Sequence, residues 1–119
     1  MVIHLPVGLP LRLAGGNTRQ EGRLEILING EWGTICDDDW DLEDAQVACR
    51  QLGFPDAMEA TGRAYFGSGT GPIYLDEVEC IGNETDLTSC GHNGIGVHDC
   101  NHGEDAGIVC GPSGKNKSM

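Results

Sequence analysis

In the run RLEILI, Leu24, Ile26 and Ile28 fall on one face and Arg23 and Glu25 on the other, and LRLA at Leu11–Ala14 alternates in the same way. Period-two alternation predicts two half-buried strands. Asn29-Gly30 follows directly, the dipeptide that best tolerates positive φ in a two-residue hairpin, and Glu31–Cys36 resumes the alternation. Asp41 then reads as a helix N-cap, with Glu43 and Asp44 in the first turn, where the helix dipole favours negative charge. Ala45, Ala48, Cys49 and Leu52 recur at helical spacing, and Gly53 sits where a left-handed C-terminal cap falls, so one helix is expected over Leu42–Leu52. Its Cys49 faces the core side, placed to staple the helix to a distant segment.

Further on, Tyr65-Phe66 and Ile73-Tyr74-Leu75 are strand candidates separated by Gly67–Gly71, and Ala106–Cys110 reads as a closing strand after a loop-rich stretch. The Gly67–Gly71 loop superficially resembles a phosphate cradle, but it follows no βα unit and lacks a Lys-Ser/Thr ending. One mixed domain over residues 11–110 is expected, with a flank at 1–10 and a linker or tail at 111–119. The N-terminal MVIHLPVGLPL has no basic leader and is broken by Pro6 and Pro10, so it does not read as a signal peptide.

All six cysteines, Cys36, Cys49, Cys80, Cys90, Cys100 and Cys110, lie within this domain, and none forms a CxxC pair. Zinc sites draw on such tight pairs, whereas an even count at wide, irregular gaps predicts three disulfides and an oxidising, extracellular or secretory compartment. In a small domain each bridge adds roughly 2–4 kcal/mol. Fifteen pairings of six cysteines remain open on spacing alone.

The formal net charge of −12 removes the generic basic patch that nucleic acid requires. An acidic surface can instead attract basic proteins or bind divalent cations that reverse the local sign. No run is long and apolar enough for membrane insertion. His92, His98 and His102 cluster near Cys100, but without HExxH, a GxSxG elbow or a free thiol they read as polar loop residues, and no catalytic site is expected. Trp32 and Trp40 read as core or sheet-face residues, with Trp40 under the acidic run. Glu104-Asp105 reads as a structural pair tying down its loop.

The segments LRLAGG, EGRLEILINGEWGTICDDDWD, DAQVACRQLGF, YFGSGTGPIYLDEVECIGNE and HDCNHGEDAGIVC, in that order over about 100 residues, resemble a scavenger receptor cysteine-rich domain. Six cysteines resemble its group A type. The resemblance implies an α+β fold, in which a curved, mainly antiparallel sheet cradles a single helix. It also implies the bridges Cys36–Cys100, Cys49–Cys110 and Cys80–Cys90.

Asp37, Asp38 and Asp39 are consecutive, with Asp41 just beyond; by themselves they read first as a solvated loop that caps the following helix, and second as a cation site. The resemblance implies that Asp37, Asp38 and Glu84 hold weakly bound Ca²⁺ or Mg²⁺, and that Asp76 and Asp99 contribute to a second site nearby. These are oxygen ligands, suited to a hard cation. The function so implied is extracellular, non-enzymatic recognition, in which the cation accepts anionic groups of modified lipoproteins, microbial polymers or sulfated glycans, as in innate immunity. Basic residues are few and scattered, at Arg12, Arg19, Arg23, Arg50 and Arg63, which weakens the case for strong polyanion binding. The alternative is a protein–protein adhesion module of a larger mosaic protease, oxidase or receptor. Asn83-Glu84-Thr85 is an N-glycosylation sequon beside an implied ligand, and Asn116-Lys117-Ser118 is a second in the tail.

Overall fold

The computed structural model describes residues 8–111. The N-terminal stretch read as no leader, most of the tail and the Asn116 sequon lie outside the described residues. Six strands and one helix are present: β1 (Leu11–Ala14), β2 (Glu21–Ile28), β3 (Glu31–Ile35), α1 (Leu42–Gln51), β4 (Ala57–Thr61), β5 (Ile73–Leu75) and β6 (Gly107–Cys110). They form one curled sheet in the order β4-β6-β2-β3-β5, with β1 also paired to β2. All pairings are antiparallel except β3–β5, whose connection carries α1 and β4.

The hairpin forms as its sequence dictates. Asn29 and Gly30 take φ of 53° and 82°, the left-handed pair a tight turn needs, and set Ile28 opposite Glu31. Leu24 and Ile26 are fully buried on the inner face of β2, packed with Ile35, Leu75, Val78, Leu87 and Ile108. On the other face Glu25 is buried too, because Arg12 and Arg23 close over it at 2.7 and 2.8 Å. Arg12 also stacks on Trp32, 4.3 Å from the ring centroid, which makes that tryptophan a sheet-face residue.

The helix is capped at both ends. Asp41 accepts from the Asp44 N–H and Asp44 returns the bond to the Asp41 N–H, forming a capping box. At the other end the Gly53 and Phe54 N–H groups bond the Arg50 and Cys49 carbonyls, with Gly53 at φ 99°, a Schellman motif one residue past the Leu52 cap. Ala45, Val47, Ala48 and Cys49 are buried against the sheet. Cys49 is bridged to Cys110 on β6, stapling helix to sheet across 61 residues of sequence. The other bridges are Cys36–Cys100 and Cys80–Cys90, so all three match the pairing that the resemblance implies.

One expected strand fails and one unexpected strand is present. Tyr65-Phe66 is a turn, not a strand: Arg63 and Ala64 take φ of 53° and 51°, and the Gly67 N–H bonds back to the Ala64 carbonyl. The missing strand is β4, which pairs with β6 through Ala57–Thr61. Its sequence AMEAT lacks the apolar alternation that marks the other strands, because α1 packs over it with small residues at the contact.

Candidate cation centre

The Cys36–Cys100 bridge decides which acidic residues meet. Cys36 directly follows β3, and its partner Cys100 leads into a 3-10 turn at His102–Glu104. Backbone bonds lace the two segments together: the Asp37 N–H to the Glu104 carbonyl at 2.9 Å and the Ala106 N–H to the Ile35 carbonyl at 2.7 Å. The residues after Cys36 therefore lie alongside those after Cys100.

One carboxylate oxygen each from Asp37, Asp38 and Glu104 lie within 4.8 Å of one another, and an oxygen of Asp38 lies as close to one of Asp76. The sulfurs nearby are bridged and cannot act as thiolate ligands. The Cys100 sulfur sits 3.7 Å from oxygens of both Asp38 and Asp99, so these two carboxylates flank the same bridge. Asp37 is held in place by the Arg63 N–H at 2.7 Å, and Glu104 by the Asn101 N–H at 2.9 Å, as half of a capping box. Trp40, bonded through its indole N–H to the Gly107 carbonyl at 3.0 Å, pins the far end of the acidic loop to β6.

The electrostatics are one-sided. Desolvation and then repulsion from Asp76, Asp99, Glu104 and Asp37 raise the Asp38 carboxyl above its usual range. Asp76 is 1% exposed, and neither of its carboxylate oxygens has a hydrogen-bond partner among the described residues. Buried polar groups are almost always satisfied, and leaving a carboxylate without a donor is costly. A hard cation bound between Asp76 and Asp38 would supply the missing counter-charge, and the all-oxygen donor set suits Ca²⁺ or Mg²⁺.

Glu84 is placed elsewhere. Its carboxylate accepts the Ile81 and Gly82 N–H groups, both at 2.9 Å, and among the described residues it is grouped with neither Asp37 nor Asp38. It lies instead against the Cys80–Cys90 bridge, and those N–H bonds lower its pKa despite opposing desolvation. Of the residues that the resemblance implied, the structure thus brings Asp37, Asp38, Asp76 and Asp99 together and places Glu84 apart from them, and it adds Glu104 to the group. In the sequence Glu104 reads as half of a structural acidic pair shortly before the closing strand, 67 positions after Asp37. The signal was in the bridge: a Cys36–Cys100 link brings the neighbours of both cysteines together, whereas Glu84 is confined to the Cys80–Cys90 loop.

Asp105 keeps the structural role expected of it. It is 1% exposed, bonds His102 Nδ1 at 2.9 Å and accepts the Gly69 N–H at 2.7 Å. His102 Nε2 faces the Gly71 carbonyl at 2.9 Å, so this histidine fastens the glycine loop to the 3-10 turn. Burial opposes charge on His102, but the Gly71 carbonyl and Asp105 outweigh it and raise its pKa. His92 and His98 each accept a local backbone N–H, from Gly94 and Cys100.

A six-cysteine curled sheet around one helix defines a class, and the comparisons agree with it. The chain belongs to the scavenger receptor cysteine-rich domain family, whose model matches residues 14–111, and its three bridges fit the group A type. Among solved structures it is similar to the third such domain of murine neurotrypsin, at 52% identity over 87% of this chain and 96% of that one, with a TM-score of 0.80. It is also similar to the dimeric form of the domain of mouse MARCO, at 48% identity over 84% and 93% of the chains, with a TM-score of 0.72. A lysyl oxidase homolog 4 of Bos taurus is 56% identical over 105 residues; these cover 87% of this chain and 14% of that protein. Domains of this family are extracellular, non-catalytic modules. Among the described residues no helix is long and apolar enough to cross a membrane.

Proposed function

We propose that the domain is a cation-dependent recognition module. Asp37, Asp38 and Glu104 hold one Ca²⁺ or Mg²⁺, and Asp76 and Asp99 share Asp38 in holding a second. The observation that carries this reading is Asp76, a buried carboxylate with neither oxygen bonded, beside a second carboxylate of raised pKa. Short loops leave coordination positions to water, so the ions bind weakly. Those open positions accept sulfate, phosphate or carboxylate groups, which is how a chain of net charge −12 can bind anions.

A second reading is a protein–protein adhesion module of a larger mosaic protein, with the cation only stiffening the loop. It is favoured by the arginines: among the described residues Arg12, Arg23 and Arg50 are held by Glu25 and by backbone carbonyls, which ties these three up within the fold. The size of the lysyl oxidase homolog, of which this chain spans 14%, supports membership of a mosaic.

Binding to a heparin-coated sensor surface separates the two readings. The first requires a response that EDTA and Asp38→Ala both abolish; binding that survives both, or none in the presence of Ca²⁺, favours the second. Asn83 is exposed, so its sequon is open to a glycan, which would stand beside a carboxylate already bonded within its own loop. Asn83→Gln should then leave the cation response unchanged.

A further inference from the structure

A cleft of about 510 Å³ opens on the sheet between β2, β4 and the Tyr65–Phe66 turn, built from residues outside the cation centre. Glu59 on β4 and Glu21 on β2 are both register partners of Val109 on β6. Their side chains therefore leave the same face, one on each side of the valine. Neighbouring strands lie about 4.8 Å apart, so the two carboxylates stand roughly 10 Å from each other at the backbone. Glu21 accepts the Asn17 N–H at 3.0 Å, and Glu59 has no partner among the described residues. Tyr65 and Phe66 form the wall, edge to face with centroids 4.9 Å apart, and Tyr65 is 72% exposed. Close packing fixes this wall: a Cβ at Gly107 would come within 2.8 Å of the Phe66 ring. Arg23 bonds the Phe66 and Gly67 carbonyls from the adjoining side, and its own charge is taken up by Glu25.

Two separated carboxylates beside an exposed tyrosine ring and a half-buried phenylalanine suit a particular ligand chemistry. Two negative charges on one side of the cleft repel anions and favour a cationic ligand. A guanidinium fits: its planar fork can bridge two carboxylates, its face can stack on an aromatic ring, and its aliphatic stem can lie on Val109. We propose that this cleft receives an arginine side chain of a partner protein, independently of the cation centre.

The test is a titration of the full chain with the peptide Ac-Gly-Arg-Gly-NH₂, followed in ¹H–¹⁵N correlation spectra, with the citrulline peptide as its neutral isostere. The arginine peptide should shift Gly15, Glu21, Glu59, Tyr65, Phe66 and Val109 saturably, and the citrulline peptide should not. Glu21→Gln, Glu59→Gln and Tyr65→Ala should each weaken binding about two- to fivefold. The Gln variants keep an acceptor for the Asn17 N–H, and their spectra report whether they fold. Asp37→Asn/Asp38→Asn should leave the affinity unchanged. An equal response to citrulline, shifts confined to the acidic loop, or no response would overturn the proposal. So would a chain ending at Gly111 that binds the peptide more tightly than the full chain, which would assign the cleft to Lys115 or Lys117 of the tail.

Discussion

Asp76 and Glu84 are both acidic residues near the loop-rich end of the chain, and the fold treats them in opposite ways. Glu84 is bonded at both oxygens by the N–H groups of its own loop. Asp76 is buried with both oxygens unbonded, facing other carboxylates. The first carboxylate serves the fold; the second is left without a donor, and in the proposed function a bound cation compensates it. An acidic residue is thus a better ligand candidate the less the protein itself satisfies it.

That contrast can be tested by substitution. The largest effect is expected on cation binding: Asp37→Ala/Asp38→Ala should lower Ca²⁺ affinity on the order of tenfold or more, measured by calorimetry, since ligand charge sets affinity in such sites. Next come the bridges that hold the two regions. Removing Cys36–Cys100, which closes a separation of 64 residues beside Asp38 and Asp76, should cost about 4 kcal/mol, against about 3 kcal/mol for Cys80–Cys90, which closes the 10-residue separation that carries Glu84, both read from denaturant unfolding. Asp76→Asn should stabilise the chelator-treated domain by about 1 kcal/mol while removing its stabilisation by Ca²⁺. Glu84→Ala should do the reverse, lowering thermal stability with Ca²⁺ affinity retained.

The dependence on pH follows from the same opposition. Burial pushes Asp44 up to about 7 from 3.8, although the Cys80 and Asp41 N–H groups pull it down. A carboxyl raised on folding stabilises the protein below its unfolded pKa and loses that contribution as pH rises through the folded value. His102, also raised, acts with the same sign. Glu84 is lowered, so its contribution is present above 4.5 and is lost as pH falls below that. The melting temperature of the chelator-treated domain should therefore decline from about pH 4 to above pH 7, and fall again in stronger acid.

Much of this architecture is legible in the sequence because it rests on local rules. The hairpin needs only Asn29-Gly30 between alternating runs, and the helix carries its stop and start signals in Asp41, Asp44 and Gly53. β4 was illegible because its partners, not its composition, make it a strand. Tyr65-Phe66 misled because two aromatic residues have high strand propensity, while the turn is set by the positive φ of Arg63 and Ala64, which nothing in their side chains announces. The candidate site divides in the same way: Asp37 and Asp38 stand out as a run, whereas Glu104 joins them only through a bridge that closes 64 residues of sequence.

The most direct test of the cation centre is calorimetric titration of Ca²⁺ into the oxidised, chelator-stripped domain and its Glu104→Gln and Glu84→Gln variants. Saturable binding that Glu104→Gln weakens and Glu84→Gln preserves is the predicted result. Loss on Glu84→Gln with Glu104→Gln unaffected, or no saturable heat from the parent domain with its bridges intact, would contradict it.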